Sequence, residues 1–375
     1  MEQRTLGRTG RQVGVVGLGA WQLGADWGEV DEDEALATLR AAVEAGVNFI
    51  DTADVYGDGR SERLVGRLLK EHPGLTVATK MGRQVPQEPS AYTLENFRAW
   101  NDRSRANLGV DTIDLVQLHC PPTPVYSDDA VFDALDTLVD EGRIAAYGVS
   151  VETCEEALTA IARPGVATVQ IILNAFRLKP LERVLPAARE AGVGIIARVP
   201  LASGLLSGRY GRDTVFAADD HRSFNRHGEA FDVGETFSGV DYETGLEAVA
   251  RLAPVVPEGM TMAQFALRWV LDQPGVSVVI PGRATRGRRR RTRPRPPWRR
   301  CRSRRTPTCG RCTTSCSGRR CITAGERQVR QGAAGGRPGA ARPVPLPFAG
   351  LLEMHRGLPC AGRDMDGARD DGRLR

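Results

Sequence analysis

The segment Asn48-Phe-Ile-Asp51-Thr-Ala-Asp-Val-Tyr56-Gly57 joins a short apolar run to a polar loop. The run ends in the carboxylate of Asp51, and the loop carries the phenol of Tyr56 five positions later. An amphipathic stretch with helical spacing, residues 61–69, follows the loop. The segment therefore predicts one strand–loop–helix unit with reactive side chains at the carboxyl end of the strand.

The same alternation extends on both sides of this unit, from about residue 15 to residue 280. The predicted strands are residues 15–18, 49–51, 76–80, 113–119, 144–150, 169–174, 194–198 and 276–280. The predicted helices are residues 33–45, 61–69, 94–108, 131–141, 154–161, 181–191 and 262–271. Eight strands joined by seven helices predict an α/β fold, a (β/α)8 TIM barrel.

A doubly wound sheet is the alternative fold, because Gly17-Leu-Gly19 stands at the end of the first predicted strand. A dinucleotide-binding fingerprint would need a further glycine at position 22, where this chain has Gln22. The alternative is therefore rejected.

Two further predicted strands also end in reactive side chains. Thr76-Val-Ala-Thr-Lys80 ends in an ammonium group, and the run 113–119 ends in the imidazole of His119. Because the strand ends of a parallel barrel meet at one mouth, four residues form a candidate proton-transfer site: Asp51, Tyr56, Lys80 and His119. Each also has an ordinary structural interpretation, respectively as a helix cap, a wall residue, a surface charge and a core imidazole.

In this order and spacing, the four residues resemble the catalytic tetrad of the aldo-keto reductase family, and the resemblance covers about residues 1–282. It implies an NADPH-dependent oxidoreductase that reduces aldehydes or ketones to alcohols, with Tyr56 as proton donor. Lys80 would lower the pKa of this phenol, which is near 10 in free tyrosine. Asp51 would hold Lys80, and His119 would position the carbonyl. The stretch 5–13 resembles the hairpin that closes the bottom of the family's barrel.

The family also includes non-catalytic barrels, so a regulatory or binding subunit is the alternative function. Loss of a tetrad residue would favour that alternative, and all four are present in this chain.

The resemblance also implies contacts to the cofactor, carried over residue by residue: Gly19, Trp21, Ser150, Gln170, Arg198, Leu201, Gly204 and Leu205. Ser150 and Gln170 match residues that hold the nicotinamide carboxamide, and residues 198–208 resemble the loop that clamps the pyrophosphate. Arg198 replaces an aromatic residue that stacks on nicotinamide. Its planar guanidinium can stack there or pair with a carboxylate, and the sequence leaves both open. The preference for NADPH over NADH rests on the family alone.

Charge and cysteine content divide the chain at about residue 282. Residues 283–375 contain 25 arginines, no lysine and six of the eight cysteines. Residues 1–282 are acidic and contain two thiols, Cys120 and Cys154, which suits a reducing compartment. The chain has no apolar run that could span a bilayer and no signal-peptide core. We therefore expect a soluble, cytoplasmic protein with a small-molecule carbonyl substrate, without membrane or specific nucleic-acid partners; the oligomeric state stays open.

Residues 283–375 predict a disordered tail, because they are rich in Arg, Pro and Gly and hold few core-forming residues. Three lysines against 48 arginines indicate a GC-rich gene. Reading such a gene one base early permits a family-like ending, His-His-Arg-Trp, before a stop codon, so the tail is interpreted as out-of-frame translation. Two other interpretations are less favoured: a phosphate-binding arginine run, and a zinc site that lacks a second separated ligand pair, at Cys309, Cys312, Cys316 and Cys321.

Overall fold

A ring of eight parallel strands forms the body of the protein. The computed structural model describes residues 1–24, 31–218 and 220–282, and it begins with an antiparallel hairpin of β1 (Gln3–Thr5) and β2 (Gln12–Gly14). The parallel strands follow in chain order: β3 (Leu18–Gly19), β4 (Phe49–Asp51), β5 (Thr76–Met81), β6 (Leu115–His119), β7 (Tyr147–Ser150), β8 (Val166–Ile172), β9 (Gly194–Arg198) and β10 (Val276–Val279).

Backbone hydrogen bonds close this ring. Gly17 N donates to Val279 O at 2.9 Å, and Gly19 N donates to Pro281 O at 3.2 Å. The first parallel strand is therefore joined to the last, and the predicted (β/α)8 TIM barrel with an N-terminal hairpin is confirmed.

Helical segments connect the strands: α1 (Glu32–Glu44), α2 (Arg60–Glu71), α3 (Leu94–Leu108), α4 (Asp129–Asp140), α5 (Cys154–Ile161), α6 (Val184–Ala191), α7 (His221–Phe224), α8 (Tyr242–Leu252) and α9 (Met262–Asp272). The predictions for α3 and α5 are correct to the residue, because Thr93 and Thr153 cap their N-termini through side-chain hydrogen bonds. Helices α7 and α8 were not predicted from the sequence. Gly245 lowers the helix propensity of α8. The packing favours glycine at this position, because a β-carbon would lie 2.7 Å from Leu205 Cδ1.

The bottom of the barrel is filled by apolar side chains from the hairpin and the strands: Leu6, Val13, Phe49, Ala78, Leu115, Ile196, Val278 and Ile280. Gly7 of the hairpin has φ 51°, and a β-carbon at this position would lie 2.1 Å from Gly194 N. Only glycine permits both this backbone conformation and this close approach. The hairpin therefore seals the bottom, as the resemblance implied.

The opposite end of the barrel is covered in part by residues 220–239, which we call the mouth segment. Asn225 holds this segment together, because its Oδ1 accepts hydrogen bonds from Ala230 N (2.8 Å) and Phe231 N (3.0 Å), while its Nδ2 donates to Thr236 Oγ1 (3.2 Å). Asn174, which follows β8, donates from Nδ2 to Ser238 Oγ at 2.7 Å. The mouth segment is therefore an ordered cover that is anchored to the barrel.

The predicted tail, its out-of-frame origin and the less favoured zinc site all concern residues that lie outside the described part of the chain. Within that part, no helix is long and apolar enough to cross a membrane. The described residues also contain no group of three or more His, Cys, Asp or Glu side chains arranged to hold a metal ion.

Candidate active site

The structure brings the four predicted catalytic residues together at the mouth of the barrel. Lys80 lies near the end of β5, and its Nζ is 2.5 Å from Asp51 Oδ1 at the end of β4. The same Nζ donates to the carbonyl oxygen of Thr52 (2.9 Å) and to Tyr56 Oη (3.3 Å). The ring of His119, at the end of β6, stands edge-on to that of Tyr56, with centroids 5.9 Å apart.

The Asp51–Lys80 ion pair is almost completely buried, with side-chain exposures of 3% and 1%. Burial of two charges is costly unless their remaining hydrogen-bonding groups are also satisfied. Asp51 Oδ2 accepts from Gln170 Nε2 (2.7 Å) and Gln117 Nε2 (3.1 Å), so both carboxylate oxygens are bonded. Burial opposes the charge of Lys80, but Asp51 and Tyr56 outweigh it and raise the pKa of this ammonium. Lys80 therefore stays charged at neutral pH.

Tyr56 is held in its protonated form. Burial raises the pKa of this phenol above its ordinary value of 10.0, while the neighbouring Lys80 ammonium pulls it downward. Lys80 lowers the pKa of Tyr56, as the sequence predicted, but burial raises this pKa by more. The phenol consequently keeps its proton at neutral pH, next to a cation that stabilises the phenolate formed when the proton leaves.

His119 is a neutral imidazole. Burial, together with the positive charges of Arg83, Lys80 and Arg198, lowers its pKa well below 6.5. Nδ1 has no hydrogen-bond partner among the described residues. A neutral imidazole has one N–H donor and one acceptor nitrogen. His119 can therefore donate one hydrogen bond at the mouth without bringing a charge.

Trp21 and Gly19 lie where β3 opens into the mouth. The indole of Trp21 stacks on the ring of Tyr56 at 6.1 Å and meets Phe231 of the mouth segment edge-on at 5.9 Å. A β-carbon at Gly19 would lie 3.0 Å from Ile280 O, which is closer than most such contacts. Trp21 thus forms one wall of the mouth, and Gly19 allows β3 to pack closely against the segment after β10.

Ser150 and Gln170 are buried at the same level as the tetrad. The hydroxyl of Ser150 accepts from Cys120 Sγ at 3.4 Å, and its carbonyl oxygen accepts from Tyr126 Oη at 2.9 Å. The Gln170 amide donates to Asp51 and, at 3.2 Å, to Gln117 Oε1. Gln170 therefore supports the Asp51 carboxylate in this structure.

Arg198, the last residue of β9, pairs with a carboxylate. Its Nη1 donates to Glu235 Oε1 of the mouth segment, and its Nη2 donates to Val151 O at 2.9 Å. Nε has no hydrogen-bond partner within the described ranges. Of the two roles that the sequence left open for this guanidinium, the structure has the ion pair.

The loop after β9 has an unusual backbone. Val199, Ala202 and Ser203 have φ values of 49°, 47° and 52°, and Gly204 has φ 98°. Positive φ is rare for a β-branched residue such as Val199 and usually marks a constrained or functional position. Backbone turns that mix right- and left-handed residues direct N–H groups into concavities that bind anions. In this loop, however, Ala202 N donates to Val199 O at 3.0 Å and Gly204 N donates to Leu201 O at 2.9 Å, so the turn is held by its own backbone hydrogen bonds.

Three residues that complete the site were not predicted from the sequence. Gln117 bonds Asp51, Glu235 pairs with Arg198, and Arg83 Nε donates to the carbonyl oxygen of His119 at 2.9 Å. Gln117 precedes His119 by two positions, and residues two apart on a strand share one face. That periodicity could have identified Gln117, whereas no local pattern connects Glu235 or Arg83 with the site.

Comparisons with known proteins agree with the barrel fold. A sequence model of the aldo/keto reductase family matches residues 15–291. The chain is 30% identical to an aldo-keto reductase of Bacillus subtilis, over 75% of this chain and 85% of that protein. It is 29% identical to a probable voltage-gated potassium channel subunit beta of Oryza sativa, with 75% and 87% covered. A solved glycerol dehydrogenase from Gluconobacter oxydans has a TM-score of 0.62 and 34% identity, covering 74% of this chain and 84% of its own.

The family match spans most of the chain, and the barrel fold was established independently from the strands and their hydrogen bonds. The chain belongs to the aldo/keto reductase family, which uses nicotinamide cofactors, and it has a general oxidoreductase role.

Proposed function

We propose that the chain is an NADPH-dependent oxidoreductase that reduces aldehydes or ketones to alcohols. The contact between the phenol of Tyr56 and the buried Lys80–Asp51 ion pair carries this proposal. A protonated phenol beside a fixed cation is suited to give up its proton to an oxygen that becomes negative.

A bound nicotinamide cofactor supplies the hydride. Tyr56 gives the proton from Oη to the carbonyl oxygen, and Lys80 stabilises the phenolate that remains. Asp51 keeps the ammonium of Lys80 charged and in position. His119 donates a hydrogen bond to the same carbonyl oxygen and orients it. In the reverse direction the Tyr56 phenolate takes the proton of the alcohol.

Eight residues are proposed to hold the cofactor: Gly19, Trp21, Ser150, Gln170, Arg198, Leu201, Gly204 and Leu205. The resemblance of residues 198–208 to the family's pyrophosphate loop supports a pyrophosphate site there. The burial of Ser150 and Gln170 beside the tetrad supports a nicotinamide site at the same depth. The use of NADPH in preference to NADH is part of the proposal and follows the family.

The proposed setting is the cytoplasm, and the proposed partner is a small-molecule carbonyl substrate, without membrane or specific nucleic-acid partners; the oligomeric state stays open. The presence of two cysteines, Cys120 and Cys154, in residues 1–282 supports a reducing compartment. The two-part organisation, a barrel to residue 282 and a tail beyond it, stays a prediction.

The second candidate function is a non-catalytic barrel that acts as a regulatory or binding subunit. Similarity to the rice protein named as a potassium channel subunit favours it. The complete tetrad, with Lys80 and Asp51 in ion-pair contact, favours an enzyme.

Tyr56→Phe tests the proposal. The variant removes only the proton donor, so kcat for carbonyl reduction should fall by about 10²–10⁴-fold while NADPH affinity stays nearly unchanged. Steady-state kinetics and a fluorescence titration with NADPH measure the two quantities. Tyr242→Phe is the matched control. Tyr242 begins α8, and its hydroxyl donates to Gly211 O at 3.0 Å and not to a residue of the tetrad. A Tyr56→Phe variant that keeps more than about a tenth of wild-type kcat would remove Tyr56 from the acid role.

A further inference from the structure

Two buried amide side chains lie inside the barrel next to the tetrad. Gln117 of β6 is 0% exposed and Gln170 of β8 is 1% exposed. Asp51 ends β4, so the three residues come from alternate strands of the ring. In a (β/α)8 barrel the inward side chains of alternate strands meet in one layer. Because buried amides need hydrogen-bond partners to offset the loss of water, each member of this layer depends on the others.

The three side chains form a closed triangle of hydrogen bonds. Gln170 Nε2 donates to Asp51 Oδ2 at 2.7 Å and to Gln117 Oε1 at 3.2 Å. Gln117 Nε2 donates to the same Asp51 oxygen at 3.1 Å. Asp51 Oδ1 is occupied separately, by the ammonium of Lys80. Gln117 therefore connects the residue that holds Lys80 with a residue that is proposed to hold the cofactor.

The triangle determines which end of the Gln170 amide faces Asp51. A glutamine amide has two N–H donors on its nitrogen and one carbonyl oxygen that accepts. Both N–H groups of Gln170 are used, one by the carboxylate and one by Gln117. A reversed amide would turn its oxygen toward the Asp51 carboxylate, which has no hydrogen to donate when it is ionised. Oε1 of Gln170 is therefore the atom left to bind a ligand, and it can only accept a hydrogen bond.

We propose that Gln117 is a positioning residue, which holds the Gln170 amide so that its oxygen receives the carboxamide N–H of the nicotinamide cofactor. This inference rests on the proposed function, in which Gln170 binds that carboxamide. Gln117 itself touches neither the cofactor nor the carbonyl substrate, and it acts through Gln170 and Asp51 alone. Its amide oxygen fixes Gln170, while its N–H group supports the carboxylate that orients Lys80.

This arrangement makes the site selective for a carboxamide. An acceptor that faces an N–H group forms a hydrogen bond, whereas the same acceptor facing a methyl group loses its partner. The 3-acetylpyridine analogue of NADP+ has a methyl ketone in place of the carboxamide and therefore offers no N–H. When position 117 no longer accepts from it, the Gln170 amide has lost one of its two anchors and can turn. The preference for the carboxamide should then be lost.

The experiment titrates the full chain with NADP+ and with its 3-acetylpyridine analogue by calorimetry. The wild type should bind NADP+ about threefold to tenfold more tightly, which is the effect of one neutral hydrogen bond. Gln117→Met has a similar length and no amide, and it should bring the two affinities close together. Gln117→Glu should keep the wild-type ratio, because its carboxyl still accepts from Gln170. Thr168→Val is the matched control and should also keep the ratio: Thr168 precedes Gln170 by two positions on β8, and its buried hydroxyl has no hydrogen-bond partner among the described residues.

The outcomes separate this role from a purely structural one. Equal affinities in the wild type would overturn the inference, because Gln170 then does not receive the carboxamide N–H. A Gln117→Met protein that binds both dinucleotides more weakly, but at the wild-type ratio, would also overturn it, since Gln117 would then serve only the fold. The same holds if Gln117→Glu loses the ratio. Should Gln117→Met not fold, Gln117→Asn, with a side chain one methylene shorter, takes its place. A folded wild-type chain that binds neither dinucleotide would contradict the proposed function itself.

Discussion

The two ends of the same barrel strands have opposite chemistry. In β6, Leu115 packs in the apolar bottom, Gln117 bonds the Asp51 carboxylate, and His119 faces Tyr56. In β4, Phe49 lies at the bottom and Asp51 at the mouth. Residues two apart on a strand share one face, so the inner face changes from packing to chemistry within a few residues.

The difference teaches how one sheet provides both stability and reactivity. Apolar groups at the bottom need only close packing, whereas every polar group at the mouth needs a partner to offset its burial. Gln117 and Gln170 supply partners for Asp51, and Asp51 in turn supplies one for Lys80. A substitution at the mouth should therefore affect both activity and stability, while one at the bottom should affect stability alone.

Lys80→Met gives the largest expected effect. It removes the cation that stabilises the Tyr56 phenolate, and kcat should fall by about 10²–10⁴-fold. It also leaves Asp51 buried without its cation, so the free energy of unfolding should fall by about 3–5 kcal/mol. Steady-state kinetics and urea unfolding measure the two losses.

The double variant Asp51→Asn with Lys80→Met separates these losses. It removes both charges, while the amide oxygen of the introduced asparagine can still accept hydrogen bonds from Gln117 and Gln170. Much of the lost stability should therefore return, and the activity should not. Recovery of activity together with stability would show that Lys80 acts on the fold and not on Tyr56.

Leu115→Ala tests the bottom of the barrel. Leu115 is fully buried, and its truncation should lower the free energy of unfolding by about 2–5 kcal/mol through the lost burial and the resulting cavity. The kcat per folded molecule should change less than about twofold, because Leu115 begins β6 and the mouth lies at the other end of this strand. Urea unfolding and kinetics at low temperature provide the measurements. A large loss of kcat in the folded variant would mean that the two ends are coupled.

The fold, and the meeting of Asp51, Tyr56, Lys80 and His119 at one mouth, were predictable because each strand and the residues at its end have local sequence signals. The spacing of apolar residues and the helix caps identified β4, β9, α3 and α5 to the residue. Other boundaries depend on pairing between strands. The predicted strand 144–150 is observed as β7 from Tyr147, where its register against β8 shifts. Sequence periodicity carries no information about a register that two strands set together.

The Arg198–Glu235 ion pair was less predictable for the same reason. Arg198 and Glu235 are 37 residues apart, and Glu235 stands in a segment without helical or strand periodicity. The sequence left two roles open for Arg198, stacking on the nicotinamide and pairing with a carboxylate. Only the position of the mouth segment, which brings Glu235 to Arg198, distinguishes them. Each tetrad residue could be located from one strand and the loop that follows it. The Arg198–Glu235 pair, in contrast, forms only when the mouth segment lies against the barrel.

The carboxyl group of Asp54, at the mouth end, tests whether every buried polar group there has a hydrogen-bond partner. Asp54, between Asp51 and Tyr56 in sequence, is 1% exposed, and neither carboxyl oxygen has a side-chain hydrogen-bond partner among the described residues. Burial, with Glu62 adding to the effect, raises its pKa from 3.8 to about 7. Between these two values the folded protein holds a proton that the unfolded chain has released.

Asp54→Asn should therefore change how the free energy of unfolding depends on pH. This effect should be smaller than the losses expected for the other substitutions. Because the pKa is raised in the folded state, wild-type stability should fall as the pH rises from about 4 to about 7, and then stay level as far as this group is concerned. A neutral asparagine avoids that loss, so the variant should be more stable than the wild type at pH 8, by about 1–3 kcal/mol, and the difference should shrink toward pH 5. Urea unfolding across this range measures the difference.

Asp58→Asn is the control: Arg103 lowers the pKa of that exposed carboxyl, so its titration lies below the window. A constant difference between Asp54→Asn and wild type from pH 5 to pH 8 would show that Asp54 is ionised throughout, and that the mouth supports a buried charge without a side-chain hydrogen-bond partner.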